Sequence, residues 1–154
     1  MRIALVAVLL AGACSKKSDD AAAKQQLAFR KTAVQIHLKN LTKLAESYYA
    51  ETAAFPAGKA GPTPAESCCK APDQKCPASK DWGADPLWTK LRYEVAEPGY
   101  FQYTYEGAAD GKSAVLAATG DLDCDGTPIT FRVLLAAGAS GVTVTAEQPP
   151  QDAF

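Results

Sequence analysis

Hydrophobic and polar positions divide the chain into distinct regimes. Ile3 to Leu10 is an uninterrupted apolar run, after which residues 15–33 are largely polar. Leu27, Val34, Leu38, Leu41, Ala45 and Tyr48 then recur at spacings of seven, four, three, four and three, which sets them on one helical stripe. Ile36, Leu44 and Tyr49 flank the stripe, and Lys31, Gln35, Lys39, Lys43 and Glu46 occupy the opposite face. Ser18, Asp19 or Asp20 can cap this helix, because their oxygens accept from the free amides of a first turn. The helix is expected to end near Ala54, since Pro56 cannot continue it and restricts Phe55. About thirty helical residues span about 45 Å at about 1.5 Å per residue, more than a compact domain of this size requires.

The pattern changes beyond the helix. Residues 56–80 hold Pro56, Gly58, Gly61, Pro62, Pro64, Pro72 and Pro77, and read as a loop. Asp81 to Leu91, with Trp82, Trp88 and Leu91 around Pro86, reads as one short helix that turns its aromatics inward. Strand patterns follow at Tyr100–Tyr105, Ala114–Ala118, Ile129–Leu135 and Val142–Thr145, with a weaker one at Arg92–Val95. The turn residues Asp110-Gly111, Asp121 to Pro128 and Gly138 to Gly141 separate them at spacings suited to an antiparallel meander. The expected fold class is α+β: one long N-terminal helix packed on a four-stranded antiparallel meander sheet. In the expected organisation residues 1–13 are a signal peptide and 14–24 a lipidated cysteine with a polar tether. The domain covers 25–146, and 147–154 forms a disordered tail.

The amino terminus carries the most specific signal. Met1-Arg2 is a minimal positive region, the apolar run follows, and Ala11-Gly12-Ala13 supplies small residues before Cys14. Small residues before a cysteine, with Leu9-Leu10 upstream, resemble a bacterial lipobox. That resemblance makes Cys14 the acylated first residue of an exported chain, with the membrane as a partner through the lipid. Ser15 after it favours the outer membrane. The run Ile3–Ala13 falls short of the roughly 20 residues a spanning helix needs.

Charge and cysteine content narrow the function classes. Charged residues make up 21%, apolar ones 47%, and the net charge is −1. No face-sized basic cluster is present, which argues against a nucleic-acid partner. With Cys14 assigned to lipid, Cys68, Cys69, Cys76 and Cys124 are an even set of disulfide candidates in an oxidising compartment. A bond within the vicinal pair would strain its peptide. Cys76 is therefore expected with one of Cys68 or Cys69, and Cys124 with the other. The spacing lacks the two- to four-residue ligand gap of structural zinc sites, and no Cys-x-x-Cys is present.

Asp121-Leu122-Asp123-Cys124-Asp125-Gly126-Thr127 begins like an EF-hand loop, with alternate carboxylates and a glycine at the sixth position. Ile129 and Arg132 stand where later ligands belong, so a complete EF-hand is excluded. Asp121, Asp123, Asp125 and Thr127 are candidate ligands for Ca²⁺ completed from elsewhere in the fold. The alternative is a plain Asp/Gly hairpin turn. His37, the one histidine, lies beside the apolar stripe with no nucleophile elbow in the sequence, and reads as a core-edge residue. Phe101, Tyr103 and Tyr105 alternate onto one strand face, as core residues do. No catalytic residue is assigned.

Several segments resemble type IV pilins and pseudopilins: the helix end Glu46-Ser47-Tyr48-Tyr49-Ala50-Glu51 before Phe55-Pro56, Trp88-Thr89-Lys90-Leu91, the aromatic strand Tyr100–Tyr105, and Ala118-Thr119-Gly120-Asp121-Leu122-Asp123. The order of helix, loop and antiparallel sheet matches as well, over roughly residues 25–146. The resemblance implies a pilin-like head with a structural or interaction role, accessory to pilus or secretion machinery or in adhesion, and an envelope, pilus or secretion protein as partner. Pilins have a strongly apolar first half of the helix, whereas residues 15–33 here are polar and anchoring passes to Cys14. The alternative function is a periplasmic ligand-binding lipoprotein with a pocket lined by Tyr100–Tyr105 and Trp88.

Overall fold

No glycine or proline interrupts the chain between Ser15 and Phe55, and Ala, Lys, Gln and Leu, all strong helix formers, dominate its first half. The computed structural model, which describes residues 15–78 and 80–150, accordingly holds one unbroken helix, α1, Ser15–Thr52. Residues 1–14 and 151–154, with the expected leader, Cys14 and the end of the tail, lie outside the described residues. The stretch expected as a capped tether is thus already helical. Ser18, Asp19 and Asp20 lie inside α1 and not at its N-cap position. The helix stops two residues before the expected Ala54, where Ala53 turns left-handed (φ 58).

The stripe does what its spacing implies. Val34, Leu38, Leu41 and Ala45 are buried, with Leu27, Leu44, Tyr48 and Tyr49 partly so. Ile36, expected to flank the stripe, is 62% exposed instead. Ala21, Ala22, Lys24, Gln25 and Gln26 are all exposed, so this stretch of α1 lies beyond the packed region. At about 1.5 Å per residue α1 is about 57 Å long. Among the described residues no helix is long and apolar enough to cross a membrane.

α1 packs against a five-stranded antiparallel sheet, ordered β1 (Gly58–Thr63), β2 (Gln102–Gly107), β3 (Ser113–Gly120), β4 (Ile129–Gly138) and β5 (Gly141–Glu147). The strand expected at the weak Arg92–Val95 pattern does not form, although Tyr93 and Val95 are buried. The sheet is a meander, but with five strands where four were expected. The addition is β1, inside the segment read as loop. Its proline and two glycines hide it from a strand pattern, yet an edge strand tolerates proline because one side of it lacks a hydrogen-bonding neighbour. Gly61 is required there, since a Cβ would stand 2.2 Å from the Tyr103 carbonyl oxygen. Ala60 and Thr63 face inward, Thr63 Oγ1 accepts from Trp88 Nε1 at 2.9 Å, and Lys59 pairs across to Glu106 at 2.9 Å. At the other end Glu147, expected in the tail, pairs with Arg132 as the last residue of β5.

Asp81–Leu91 forms two short helices, α2 (Asp81–Ala84) and α3 (Pro86–Leu91), and not one. Pro86 drives Asp85 into extended conformation, and the Asp85 carboxylate then caps α3 by accepting from Leu87 N at 2.8 Å. Trp82, Trp88, Tyr93 and Tyr103 pack with ring centroids 5.3–6.0 Å apart. This aromatic cluster fills the core beside α1, where Phe101, Tyr103 and Tyr105 point as their alternation predicts.

Candidate functional site

β3 ends at Gly120, where a Cβ would meet the Tyr100 carbonyl oxygen at 2.4 Å, so only glycine lets the chain turn there. The following loop, 121–128, is held from three sides. Leu122 is buried beneath it, Arg30 of α1 donates from Nη1 to the Leu122 carbonyl oxygen, and Cys124 is bonded to Cys69. Cys124 and Gly126 both take positive φ (61 and 94), which curls the loop so that its alternate side chains converge.

Carboxylate oxygens of Asp121, Asp123 and Asp125 all lie within 4.8 Å of one another. Oxygens bound to one Ca²⁺ at about 2.3–2.6 Å can be separated by no more than about 5 Å, a limit that all three pairs meet. Each aspartate also braces the turn. Asp121 Oδ2 accepts from Gly126 N at 2.8 Å, Asp125 Oδ1 from Thr127 N at 2.7 Å, and Asp123 Oδ1 from Asp125 N at 3.4 Å. Asp121 Oδ1 is buried with no hydrogen-bond partner among the described residues. Thr127, a candidate ligand, joins the turn through its N–H. The carboxylates of Asp121, half-buried, and of Asp123 and Asp125, exposed, form a hard-donor set of the kind that Ca²⁺ takes.

The cysteine pairs follow the expected pattern and resolve its open choice: Cys68 bonds Cys76, and Cys69 bonds Cys124. The vicinal pair opens a 3₁₀ turn, Cys68–Lys70, so successive side chains leave in different directions. One bridge closes a local loop, and the other fastens that loop to the end of β3 and the aspartate turn.

Arg30 was not singled out by sequence reading, although a signal existed. Leu27 and Val34 are seven apart, and Arg30 occupies the stripe position between them. Its guanidinium stacks on the Tyr100 ring, 4.0 Å from the centroid, with Lys75 Nζ 5.5 Å from the same ring, a cation–π arrangement. Beside it lies a crevice of about 140 Å³ that includes His37, Glu97, Tyr100 and Tyr103. His37 packs edge-on to Tyr103 at 5.9 Å. Burial lowers its pKa below 6.5, and Glu97 opposes that shift in part. Cys76, which also lines this crevice, is bonded to Cys68. Trp88, expected to line a pocket with Tyr100–Tyr105, is buried in the core, and Tyr105 Oη donates to the Pro56 carbonyl oxygen at 2.7 Å. No family of known proteins, no curated protein and no solved structure matches the chain.

Proposed function

We propose that this chain is an exported, non-catalytic lipoprotein, held to the outer membrane by acylated Cys14, whose pilin-like head engages a protein of the envelope, pilus or secretion machinery. The observation that carries the reading is the cysteine arrangement. Of five cysteines, four are consumed by two bridges, which leaves Cys14 behind its apolar run and small residues. Disulfides persist in oxidising compartments, in keeping with export. The pilin-like character is supported by the long helix that packs only in its later turns against an antiparallel meander. The exposed stretch of α1 would act as a stalk between lipid and head, and Ca²⁺ at Asp121, Asp123 and Asp125 would stiffen the base of the head near Arg30.

The ligand-binding alternative has less support. The crevice that takes Tyr100 and Tyr103 encloses about 140 Å³, against the roughly 300 Å³ at which small-molecule sites begin. The test is the intact mass of the native protein before and after reduction, with envelope fractionation of Cys14→Ser. Acylated mature protein, a gain of four hydrogens on reduction and release of Cys14→Ser from the membrane support the proposal. An unacylated product with reduced thiols overturns it. Cross-linking in the native envelope then identifies the partner.

A further inference from the structure

β5 is an edge without the usual guards. It pairs with β4 in unbroken register from Gly138↔Gly141 to Arg132↔Glu147, with no proline, lysine or bulge. The opposite edge, β1, has Pro62, Lys59 and a register shift, the devices that keep an open edge from recruiting another strand. β5 also overhangs α1. Val144 and Ala146 pair with the buried Leu135 and Val133, and so share their face, yet Val144 is 44% exposed and Ala146 is exposed too. With Leu38 and Thr42 they form the floor of a groove of about 350 Å³ between helix and strand.

We propose that this edge docks a second copy of the chain, β5 against β5, antiparallel about a twofold axis through Val144. The two-residue turn Ala139-Ser140 makes Gly138 and Gly141 a hydrogen-bonded pair. Alternation then commits Thr143, Thr145 and Glu147 to β4 and directs the N–H and C=O of Val142, Val144 and Ala146 outward. About that axis these three meet Ala146, Val144 and Val142 of the second copy, donor to acceptor. Thr143 falls opposite Thr145, and Glu147, the single charge of β5, falls opposite Gly141. Every cross-strand pair is apolar, Thr–Thr or charge–glycine, and none is repulsive. α1 runs antiparallel to β5, since Gln35 Nε2 donates to Gln148 Oε1 at one end of the groove and Glu46 lines the groove further along the helix. The twofold therefore brings the Lys39 end of each helix toward the Glu46 end of the other, with Lys43 of both copies nearer the axis. The overhanging faces close on each other.

Velocity sedimentation and oxidative cross-linking of the full chain in mild detergent test this. The parent is expected to sediment at twice the monomer mass. Val144→Cys is expected to form a covalent dimer, Val142→Cys to stay unlinked because Ala146 opposes it, and the double variant Val142→Cys/Ala146→Cys to link again. Val144→Pro removes an N–H that β4 does not use, so it is expected to abolish the dimer while keeping the parent's circular dichroism. A parent monomeric throughout, Val142→Cys linking as well as Val144→Cys, a Val144→Pro protein that stays dimeric, or Val144→Cys linking only to a different protein each overturns the proposal.

Discussion

The two oxygens of Asp121 have unequal surroundings: one accepts the Gly126 amide, and the other is buried without a partner among the described residues. Ca²⁺ shared by Asp121, Asp123 and Asp125 would bind the native state alone, and such ligation raises stability by RT ln(1 + [L]/Kd). Millimolar Ca²⁺ is therefore expected to raise the melting midpoint of the parent and to leave Asp121→Asn, which retains the amide bond, unmoved. An unmoved parent midpoint would leave the aspartates as a hydrogen-bonded turn only. At Gly107 a Cβ would stand 1.9 Å from the Pro56 carbonyl oxygen. Gly107→Ala is expected to cost about 1–3 kcal/mol, read from the urea midpoint. His37 gives a pH dependence of definite sign. Its folded pKa lies below 6.5, so the unfolded chain binds the proton more readily and stability falls as pH drops through that value. Tyr103 and Glu97 face the imidazole, and Arg30 lines the same crevice. Unfolding midpoints from pH 7.5 to 5.5 are expected to decline less for His37→Gln than for the parent. At this scale the sequence was most readable where a residue repeats a period or fills a motif: the stripe from Val34 to Ala45, the alternation of Phe101, Tyr103 and Tyr105, the aspartates. Arg30 was hidden because a charge on an apolar stripe reads as an interruption, while its use depends on a carbonyl 92 residues away.

Among elements, legibility tracked length and periodicity. α1 and β2 to β5 have internal patterns, and their existence and order were readable within a few residues. β1 has none. Gly58, Gly61 and Pro62 signal a loop by every local rule, and the strand exists because β2 offers a free edge and Trp88 offers Thr63 a hydrogen bond. Both causes are tertiary. Pro86 was read as a feature of one helix, whereas capping by Asp85 makes it a boundary between two. The bridges can be weighed against each other. On the chain-entropy account, loops of 55 and 8 residues contribute about 4 and about 2.5 kcal/mol. Denaturant unfolding is expected to rank Cys69→Ser/Cys124→Ser as less stable than Cys68→Ser/Cys76→Ser. The reverse order would mean that native contacts, and not loop closure, decide.

At the scale of the molecule, α1 joins an exposed stretch, Ala21, Ala22, Lys24, Gln25 and Gln26, to a packed stretch from Leu27 onward, and the sheet carries one guarded edge and one open edge. The fold class was legible because one long amphipathic helix followed by alternating strands has few alternatives. The partner was not, because recognition by a strand edge uses backbone groups that every sequence possesses. The pairing of Cys69 with Cys124 also has a mechanical consequence. If the molecule is tugged between its two ends, the intact bridge carries force from Cys69 directly to Cys124, and the covalent chain between them cannot be drawn out. At about 3.5 Å per extended residue, the 55-residue separation keeps about 190 Å of contour in reserve. Optical-trap extension under oxidising and reducing conditions is expected to differ by that length, so the redox state of its thiols would set how far this protein can stretch.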